Sequence, residues 1–497
     1  MRSINSAPVI TGTGTRVQLR DRRLLGPISV GFAFVAINLI GISRSPVVWT
    51  DEVTLNSPAR VLVERGQIAS DVFGTTLGYN HHYFWQPPGL VLVTSSVYRL
   101  FGFGIVQTRI GSLVFGGLAV ALIGTIALWS SCNARAAVGA SLLLAVDPRF
   151  AVTARGARMD TQAITLLLVS FAAARWGRLT LSLVAGMAAA AAACSHPLAA
   201  LWAPALAVLA FRRDLRNGVS FVLGGATVAG LWLRWMWPNW KLFQEQFLRH
   251  GATRAGSGPL LGRLPTNFDH FLHDSTRSPL VPVLAVLVLA VSIQRWRSGD
   301  NSGRVIALVV AGSGLVALGA LNWNAGWYEQ YWLPTVYVGG AILAWGRRPS
   351  SLIRVLVAMT TLTGLVVSVG GRLAIVATGW SERDYGAVEQ LVRRNVHRHD
   401  TVWGEPAVWY AVVRQHASLD LRDSDSPSVM LPPFPNPTRD NVVIVQAPLH
   451  VNERCFTELG YRRVDRVRRG VVSSYNLEVW RRESRSRAHA LDCASNA

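Results

Sequence analysis

The feature that most limits what this chain can fold into is a series of long apolar runs separated by short polar connections. An α-helix needs about 20 mostly apolar residues to cross the hydrocarbon core of a bilayer, with a range near 17–25. Half of the 497 residues are hydrophobic and only 15% are charged, whereas soluble proteins carry about 25% charged residues. The sequence therefore predicts an all-α polytopic membrane bundle. Its eleven candidate spans are residues 25–43, 108–130, 135–153, 160–176, 179–195, 197–211, 218–236, 279–294, 304–322, 331–346 and 352–376.

The short connections between these runs predict the orientation of the bundle. Cytoplasmic connections carry an excess of Lys and Arg. If the N-terminus is cytoplasmic, every short connection that falls on the cytoplasmic side is basic. Residues 88–101 are also apolar, but the run is short and contains Arg99. If it crossed the membrane, the basic connections would face outward, so we expect an interfacial helix there. The connections in question contain Arg135, Arg175, Arg178, Arg212, Arg213, Arg216, Arg295, Arg297, Arg304, Arg347, Arg348 and Arg354.

The sequence thus predicts three regions in a multi-pass protein of the inner (plasma) membrane. Residues 1–24 form a cytoplasmic tail, and residues 25–379 form the transmembrane domain with a large outward loop at 44–107. Residues 380–497 turn polar and form a small extracytoplasmic α/β domain. Strands are expected at 401–403, 442–445 and 476–480, with a helix at 383–396, a second opened by Pro406 and a third that ends at Gly460.

The net charge of +21 raises the question of a nucleic-acid partner. The arginines lie in small clusters between apolar runs rather than along one face or tail, so the bilayer is the expected partner and nucleic acid is not. No nucleotide-binding glycine loop occurs, and the four cysteines show no CxxC spacing. We expect no cofactor.

Two adjacent carboxylates, Asp51 and Glu52, open the first outward loop. A carboxylate held in a half-buried cleft can act as a general base toward a hydroxyl nucleophile. The structural alternative is that Asp51 caps the following helix and Glu52 favours its first turn. Both interpretations are open at this point.

Further charged and aromatic residues lie near the outward ends of other runs. Arg155, Arg158 and Asp160 follow the third run, and charges at that depth need partners or a water-filled cavity. The fork of donors on an arginine fits phosphate oxygens, although contact with lipid headgroups is an equal alternative. Other candidate substrate contacts are His82, Tyr83, Glu329 and Tyr331. Adjacent histidines at 81 and 82 are more often solvated than bound to a metal, and no metal is predicted.

The order of these features resembles a known enzyme group. An Asp-Glu pair after the first span is followed by Pro87-Pro88, by Arg-x-x-Ser at 109–112, by ARGARMD at 154–160 and by Tyr-x-Leu-Pro at 331–334. Over residues 25–346 this resembles the GT-C glycosyltransferases of family 39 and the lipid A aminoarabinose transferases. That group includes the dolichyl-phosphate-mannose protein mannosyltransferases. Where aminoarabinose transferases carry a Glu-Lys pair linked to metal and phosphate, this chain has Trp85-Gln86, and Gln330 replaces a common basic residue.

The resemblance implies an inverting transfer of a sugar from a polyprenyl-phosphate donor to an acceptor hydroxyl outside the cytoplasmic membrane. Asp51 would be the base, Glu52 its neighbour in the acceptor site and Asp160 a second acidic contributor. On chemical grounds Arg155 and Arg158 are our candidates for the leaving phosphate. The acceptor can be a protein, a glycan or a lipid. The alternatives are a transporter or lipid flippase, and a catalytically silent scaffold.

Overall fold

The computed structural model describes residues 21–73, 76–248, 260–273, 280–319, 328–421, 435, 439–446, 453–467 and 475–482. The first half of the chain is a succession of helices joined by short turns. They are α1 (Leu25–Leu39), α2 (Thr50–Arg65), α3 (Gly89–Phe101), α4 (Ile105–Ser131), α5 (Ala134–Ala145), α6 (Pro148–Arg155), α7 (Asp160–Arg175) and α8 (Leu179–Ala193).

The second half begins with more helices of the same kind. After a 3₁₀ turn at Pro197–Trp202 come α9 (Ala203–Phe211), α10 (Leu215–Met236), α11 (Trp240–Phe243), α12 (Leu260–His273), α13 (Leu280–Arg297), α14 (Asn301–Gly319), α15 (Leu333–Trp345), α16 (Ser351–Gly364) and α17 (Arg372–Thr378). A π-helical segment, Leu365–Gly371, joins the last two.

Six helical stretches in the described ranges are long and apolar enough to cross a membrane, or seven if the bent pair α5–α6 counts as one span. The predicted membrane bundle is therefore confirmed, while the count of eleven stays a prediction. Helix α3, the expected interfacial helix, has 13 residues. At 1.5 Å per residue it is about 20 Å long, which is too short for a hydrocarbon core of about 30 Å.

Small residues let the helices of the bundle approach closely. A Cβ on Gly186 of α8 would overlap the carbonyl of Phe221, and one on Gly224 of α10 would overlap that of Leu183. Glycine and alanine are enriched at such crossings because apolar side chains have no hydrophobic drive to leave lipid, so association relies on close packing. This crossing fixes α8 and α10 as a tight pair.

The C-terminal region folds around a five-stranded mixed sheet in the order β2-β1-β3-β5-β4. The strands are β1 (Thr401–Gly404), β2 (Ser418–Leu421), β3 (Val442–Gln446), β4 (Tyr461–Val467) and β5 (Leu477–Arg482). The strands β2, β1 and β3 are parallel, whereas β5 and β4 are antiparallel to their neighbours. Its helices are α18 (Tyr385–Asn395), α19 (Trp409–Arg414) and α20 (Glu453–Glu458).

The predicted small α/β region is thus confirmed, with β1, β3 and β5 at the expected places. The sequence missed β2 and β4, which are the two edge strands of the sheet. Edge strands are often polar and short because exposed apolar edges promote aggregation. In β4 most side chains are exposed, so it lacks the apolar pattern of a buried strand.

The outward loop and the C-terminal region form one continuous hydrophobic cluster. It joins Val53 and Tyr83 from the loop to Val388, Trp409 and other residues of the C-terminal region. The backbone N–H of Leu421 donates to the carbonyl of Val72 at 3.0 Å. The two regions therefore lie on the same side of the bundle, as the sequence predicted; that this side is extracytoplasmic stays a prediction.

Candidate active site

Asp51 and Glu52 lie in the first turn of α2, which begins at Thr50. Trp49 occupies the N-cap position in an extended conformation, and no side chain caps this end. The alternative that Asp51 serves as the cap is therefore wrong. Acidic residues remain favourable in this turn because of the helix dipole. Neighbours on a helix project about 100° apart, so the two carboxylates face different surroundings.

Glu52 is fully buried in an ion pair with Arg109. The guanidinium donates from Nε to Oε1 at 2.9 Å and from Nη2 to Oε2 at 2.5 Å, and Tyr410 donates its hydroxyl to Oε1 at 2.8 Å. Arg109 also donates to the carbonyls of Ile42 and Pro46. Glu52 has no exposed surface, and its expected place in the acceptor site stays a prediction. It ties α2 to α4 and to the C-terminal region.

Asp51 belongs to a second cluster of charges, and it is the member that solvent can reach. Its side chain is 39% exposed and forms an ion pair with Arg158, which is 4% exposed. Arg158 also donates from Nε to Oδ2 of the buried Asp160 at 2.8 Å. Tyr331 donates its hydroxyl to the other oxygen of Asp160 at 3.4 Å. One guanidinium thus bridges two carboxylates, of which one faces outward.

The turn between α6 and α7, which carries Arg158, is held in place by side chains from two other helices. Asn56 of α2 donates from Nδ2 to the carbonyl of Ala157 at 3.0 Å. Ser112 of α4 donates its hydroxyl to the carbonyl of Arg158 at 2.8 Å. Ala157 has a φ of +53°, a conformation that costs a residue with a Cβ roughly 1–2 kcal/mol. These bonds hold the turn in that strained shape and so fix the direction of Arg158.

The spacing of the Arg-x-x-Ser motif explains how α4 serves both clusters. Residues three apart lie on the same side of a helix. Arg109 therefore reaches Glu52 on α2, while Ser112, one turn further along, reaches the turn that carries Arg158.

Aromatic side chains line the buried side of Asp160. The ring centroids of His196 and Trp202 each lie 5.6 Å from that of Tyr331, and Tyr328 lies 5.3 Å from His196. His196 accepts a hydrogen bond on Nδ1 from the N–H of Leu198. That nitrogen therefore carries no proton, and His196 caps the 3₁₀ turn that begins at Pro197.

Several residues that the sequence grouped with the site lie elsewhere or are buried. Tyr83 is fully buried among aromatic rings and donates to the carbonyl of Thr54 at 3.1 Å, so it packs the loop rather than facing a substrate. His82 stacks on Phe84; partial burial, and then the nearby His81, lower the pKa of His82 and keep it neutral near pH 7. Glu329 is buried in the turn just before Tyr331.

Arg155 also lies apart from the cluster around Arg158. It is buried and donates from Nη2 to the carbonyl of Gly41 at 3.0 Å. Its placement with Arg158 at the leaving phosphate is therefore not what the structure describes. The two arginines are three residues apart in sequence but lie on either side of the Ala157 turn.

Within the described ranges, no group of three or more His, Cys, Asp or Glu side chains has the arrangement of a metal site. The expectation that the protein needs no metal stays a prediction.

No protein-family model matches the sequence, and no curated protein is significantly similar to it. Solved structures do match. The crystal structure of ArnT from Cupriavidus metallidurans bound to undecaprenyl phosphate gives a TM-score of 0.62 at 14% identity, covering 91% of this chain and 97% of that chain. Its apo form also gives 0.62 at 14% identity, covering 92% and 98%. The chain has a GT-C fold.

The fold expected from the order of the motifs is therefore confirmed. The apo oligosaccharyltransferase of Archaeoglobus fulgidus matches more weakly, with a TM-score of 0.47 at 12% identity over 81% of this chain and 64% of that chain. The GT-C fold accounts for the architecture of the chain, namely a helical membrane bundle that carries a C-terminal region on one side.

Proposed function

We propose that this chain is a membrane glycosyltransferase that moves a sugar from a polyprenyl-phosphate donor to a hydroxyl group of an acceptor. The observation that carries the proposal is the position of Asp51, the solvent-reachable member of a buried charge cluster on a GT-C fold. The solved ArnT structure contains undecaprenyl phosphate, which supports a lipid-phosphate donor for this fold. We place the reaction at the outer surface of the membrane, where the donor headgroup meets Asp51.

The proposed reaction is a single displacement with inversion at the anomeric carbon. The acceptor oxygen forms a bond to that carbon while the bond from the carbon to the phosphate oxygen breaks. Asp51 takes the proton of the acceptor hydroxyl, and the phosphate leaves with the bonding electron pair. A sugar phosphate is already an activated group, so the protein has mainly to position the acceptor, remove its proton and neutralise the leaving charge.

Arg158 links the protonation of Asp51 to the departure of the negatively charged phosphate. Before transfer it is paired with two carboxylates, Asp51 and Asp160. When Asp51 accepts the proton it loses its charge, and at that moment the phosphate gains one. The donors that Arg158 directed at Asp51 are then free for the phosphate oxygens, whose geometry suits a guanidinium. Asp160 keeps Arg158 in place during this exchange.

Tyr331 completes the inner side of the proposed site. Its hydroxyl bonds to Asp160, which orients that carboxylate toward Arg158. We propose Tyr331 and the neighbouring Glu329 as contacts near the donor, and His82 as a contact at the rim of the loop. Tyr83 and Glu52 support the loop and the start of α2.

The test is to incubate the purified protein in sealed lipid vesicles with a panel of polyprenyl-phosphate sugars and candidate acceptors. Mass spectrometry scores the release of polyprenyl phosphate, and NMR of the product gives the anomeric configuration. Release of polyprenyl phosphate with an inverted product is the expected result. Transport of the intact donor across the bilayer without release would favour the flippase alternative.

A further inference from the structure

Two arginines meet at the end of the first membrane helix. Arg155, at the end of α6, is 1% exposed and donates to the carbonyl of Gly41. Arg372, at the start of α17, is half-buried and donates to the carbonyls of Ile37 and Ile40 at 2.8 and 3.2 Å. Neither arginine forms an ion pair with any residue in the described part of the chain.

Capping of α1 explains part of this arrangement but leaves an excess of positive charge. Basic side chains near a helix C-terminus are favourable, because that end is equivalent to roughly half a negative charge. Two guanidinium groups exceed this several-fold. Arg372 and Arg109, which are both cationic, lie near enough to repel Arg155, and Arg109 is already neutralised by Glu52.

Arg155 also has unused hydrogen-bond donors. A guanidinium has several N–H groups in a fixed fork, and among the described residues Arg155 uses one of them, toward Gly41. Its Nε is buried, and no hydrogen-bond partner for it lies in the described residues. A buried polar donor without a partner costs about 1–3 kcal/mol. Arg155 is too deeply buried for an anion to reach it, so the partly exposed Arg372 is the member of the pair that an anion can contact.

The surface around Arg372 identifies the kind of anion. Ile40, directly after α1, and Ile375 of α17 are about half exposed, and Val366 and Val367 of the adjoining segment are exposed as well. Such an apolar surface on a membrane protein faces lipid tails. An anion that reaches Arg372 beside it must itself be amphipathic.

We propose that Arg372, with the buried charge of Arg155 behind it, binds the phosphate of an anionic phospholipid headgroup at this end of α1. The site is separate from the Asp51–Arg158–Asp160 cluster and does not depend on the proposed transfer activity. The headgroup would bridge the ends of α1 and α17, and the charge of Arg155 at the end of α6 would strengthen its binding.

The test measures the affinity of the purified full chain for phosphatidylglycerol by native mass spectrometry in neutral detergent, with phosphatidylcholine as the comparison lipid. Loss of a hydrogen bond to a charged group costs about tenfold or more in affinity, and Arg372→Gln is expected to lose that much. Arg155→Gln is a second variant, although its burial puts its folding at risk. Arg372 is only partly buried, so its variant keeps the test decisive.

The matched control is Arg44→Gln. Arg44 lies at the same end of the bundle, but it pairs with Asp384 and stacks on Trp380. Its replacement is expected to leave the affinity for phosphatidylglycerol unchanged. An Arg372→Gln variant that binds phosphatidylglycerol as tightly as wild type, or no more weakly than Arg44→Gln does, would overturn the proposal.

Two further arms identify the source of the phosphate. Inorganic phosphate is expected not to compete with phosphatidylglycerol; if it displaces the lipid from wild type but not from Arg372→Gln, the assignment to a lipid is wrong. Added polyprenyl phosphate is expected to leave the phosphatidylglycerol affinity unchanged. Competition that depends on Arg372 would reassign the pair to the donor lipid and overturn a phospholipid site.

Discussion

Replacing Glu52 with Gln is expected to destabilise the fold far more than the matched change at its neighbour, Asp51→Asn. Glu52 accepts two hydrogen bonds from the buried Arg109 and one from Tyr410. Its neutral amide would leave the Arg109 charge buried and uncompensated. Removing one partner of a buried ion pair typically costs about 3–5 kcal/mol.

Asp51 provides the comparison because it lies next in sequence, in the same turn of the same helix. Its carboxylate is 39% exposed, and Arg158 keeps Asp160 as a partner when Asp51 is neutralised. Exposed pairs are worth about 0–1 kcal/mol. We therefore expect Asp51→Asn to change the free energy of unfolding by no more than about 1 kcal/mol.

The measurement is equilibrium unfolding in mixed micelles of increasing SDS content, followed by tryptophan fluorescence, for wild type and both variants. A further variant, Glu52→Gln with Arg109→Met, should recover part of the loss because it removes the unpaired charge. Equal stability of the two single variants would contradict the division of roles between the adjacent carboxylates. A double variant that is clearly less stable than Glu52→Gln alone would also contradict it, because removing the unpaired Arg109 charge would then have added a second loss instead of a gain.

Three other outcomes follow from the same contacts. Arg158→Lys should keep the positive charge but lose the fork of donors that bridges two carboxylates. We expect turnover to fall at least tenfold while thermal stability stays near wild type. Unchanged turnover would mean that a point charge suffices. Tyr410→Phe removes the hydrogen bond to the Glu52 carboxylate, and a hydrogen bond to a charged group is worth about 1.5–3 kcal/mol. It should lower both stability and turnover, because Glu52 positions the start of α2. A stability equal to wild type would show that this bond is dispensable. Single cysteines introduced at His81 and Arg398, both exposed, should react with a membrane-impermeant reagent from the same, outer side of intact cells, and labelling of one but not the other would contradict the shared side of the loop and the C-terminal region.

The membrane bundle and the position of Asp51 could be predicted from the sequence because both depend on local patterns. Many apolar runs of span length in one chain are typical of membrane proteins, and a carboxylate pair at the end of the first run stands out. The same pattern could not separate Asp51 from Glu52. Their roles differ because of what each meets in three dimensions, and Tyr410, which contacts Glu52, lies 358 residues away.

Other parts of the site could not be predicted from local patterns for the same reason. Arg155 and Arg158 look equivalent in sequence, but the left-handed turn at Ala157 sends them to different partners. Turns of this kind usually contain glycine, so an alanine there provides no signal. Arg109 belongs to the Arg-x-x-Ser motif, which the sequence shows. Its pairing with Glu52 could not be predicted, because it depends on how α2 packs against α4.

The measurement that tests the central claim most directly is the turnover of Asp51→Asn with a polyprenyl-phosphate sugar that wild type uses. Asn is nearly isosteric and keeps a hydrogen-bond acceptor for Arg158, but it cannot take a proton. Loss of a general base typically costs about 10²–10⁴ in rate, and we expect a fall in that range with stability close to wild type. Near-normal turnover in this variant would contradict the account, and the proton acceptor would then have to be another group.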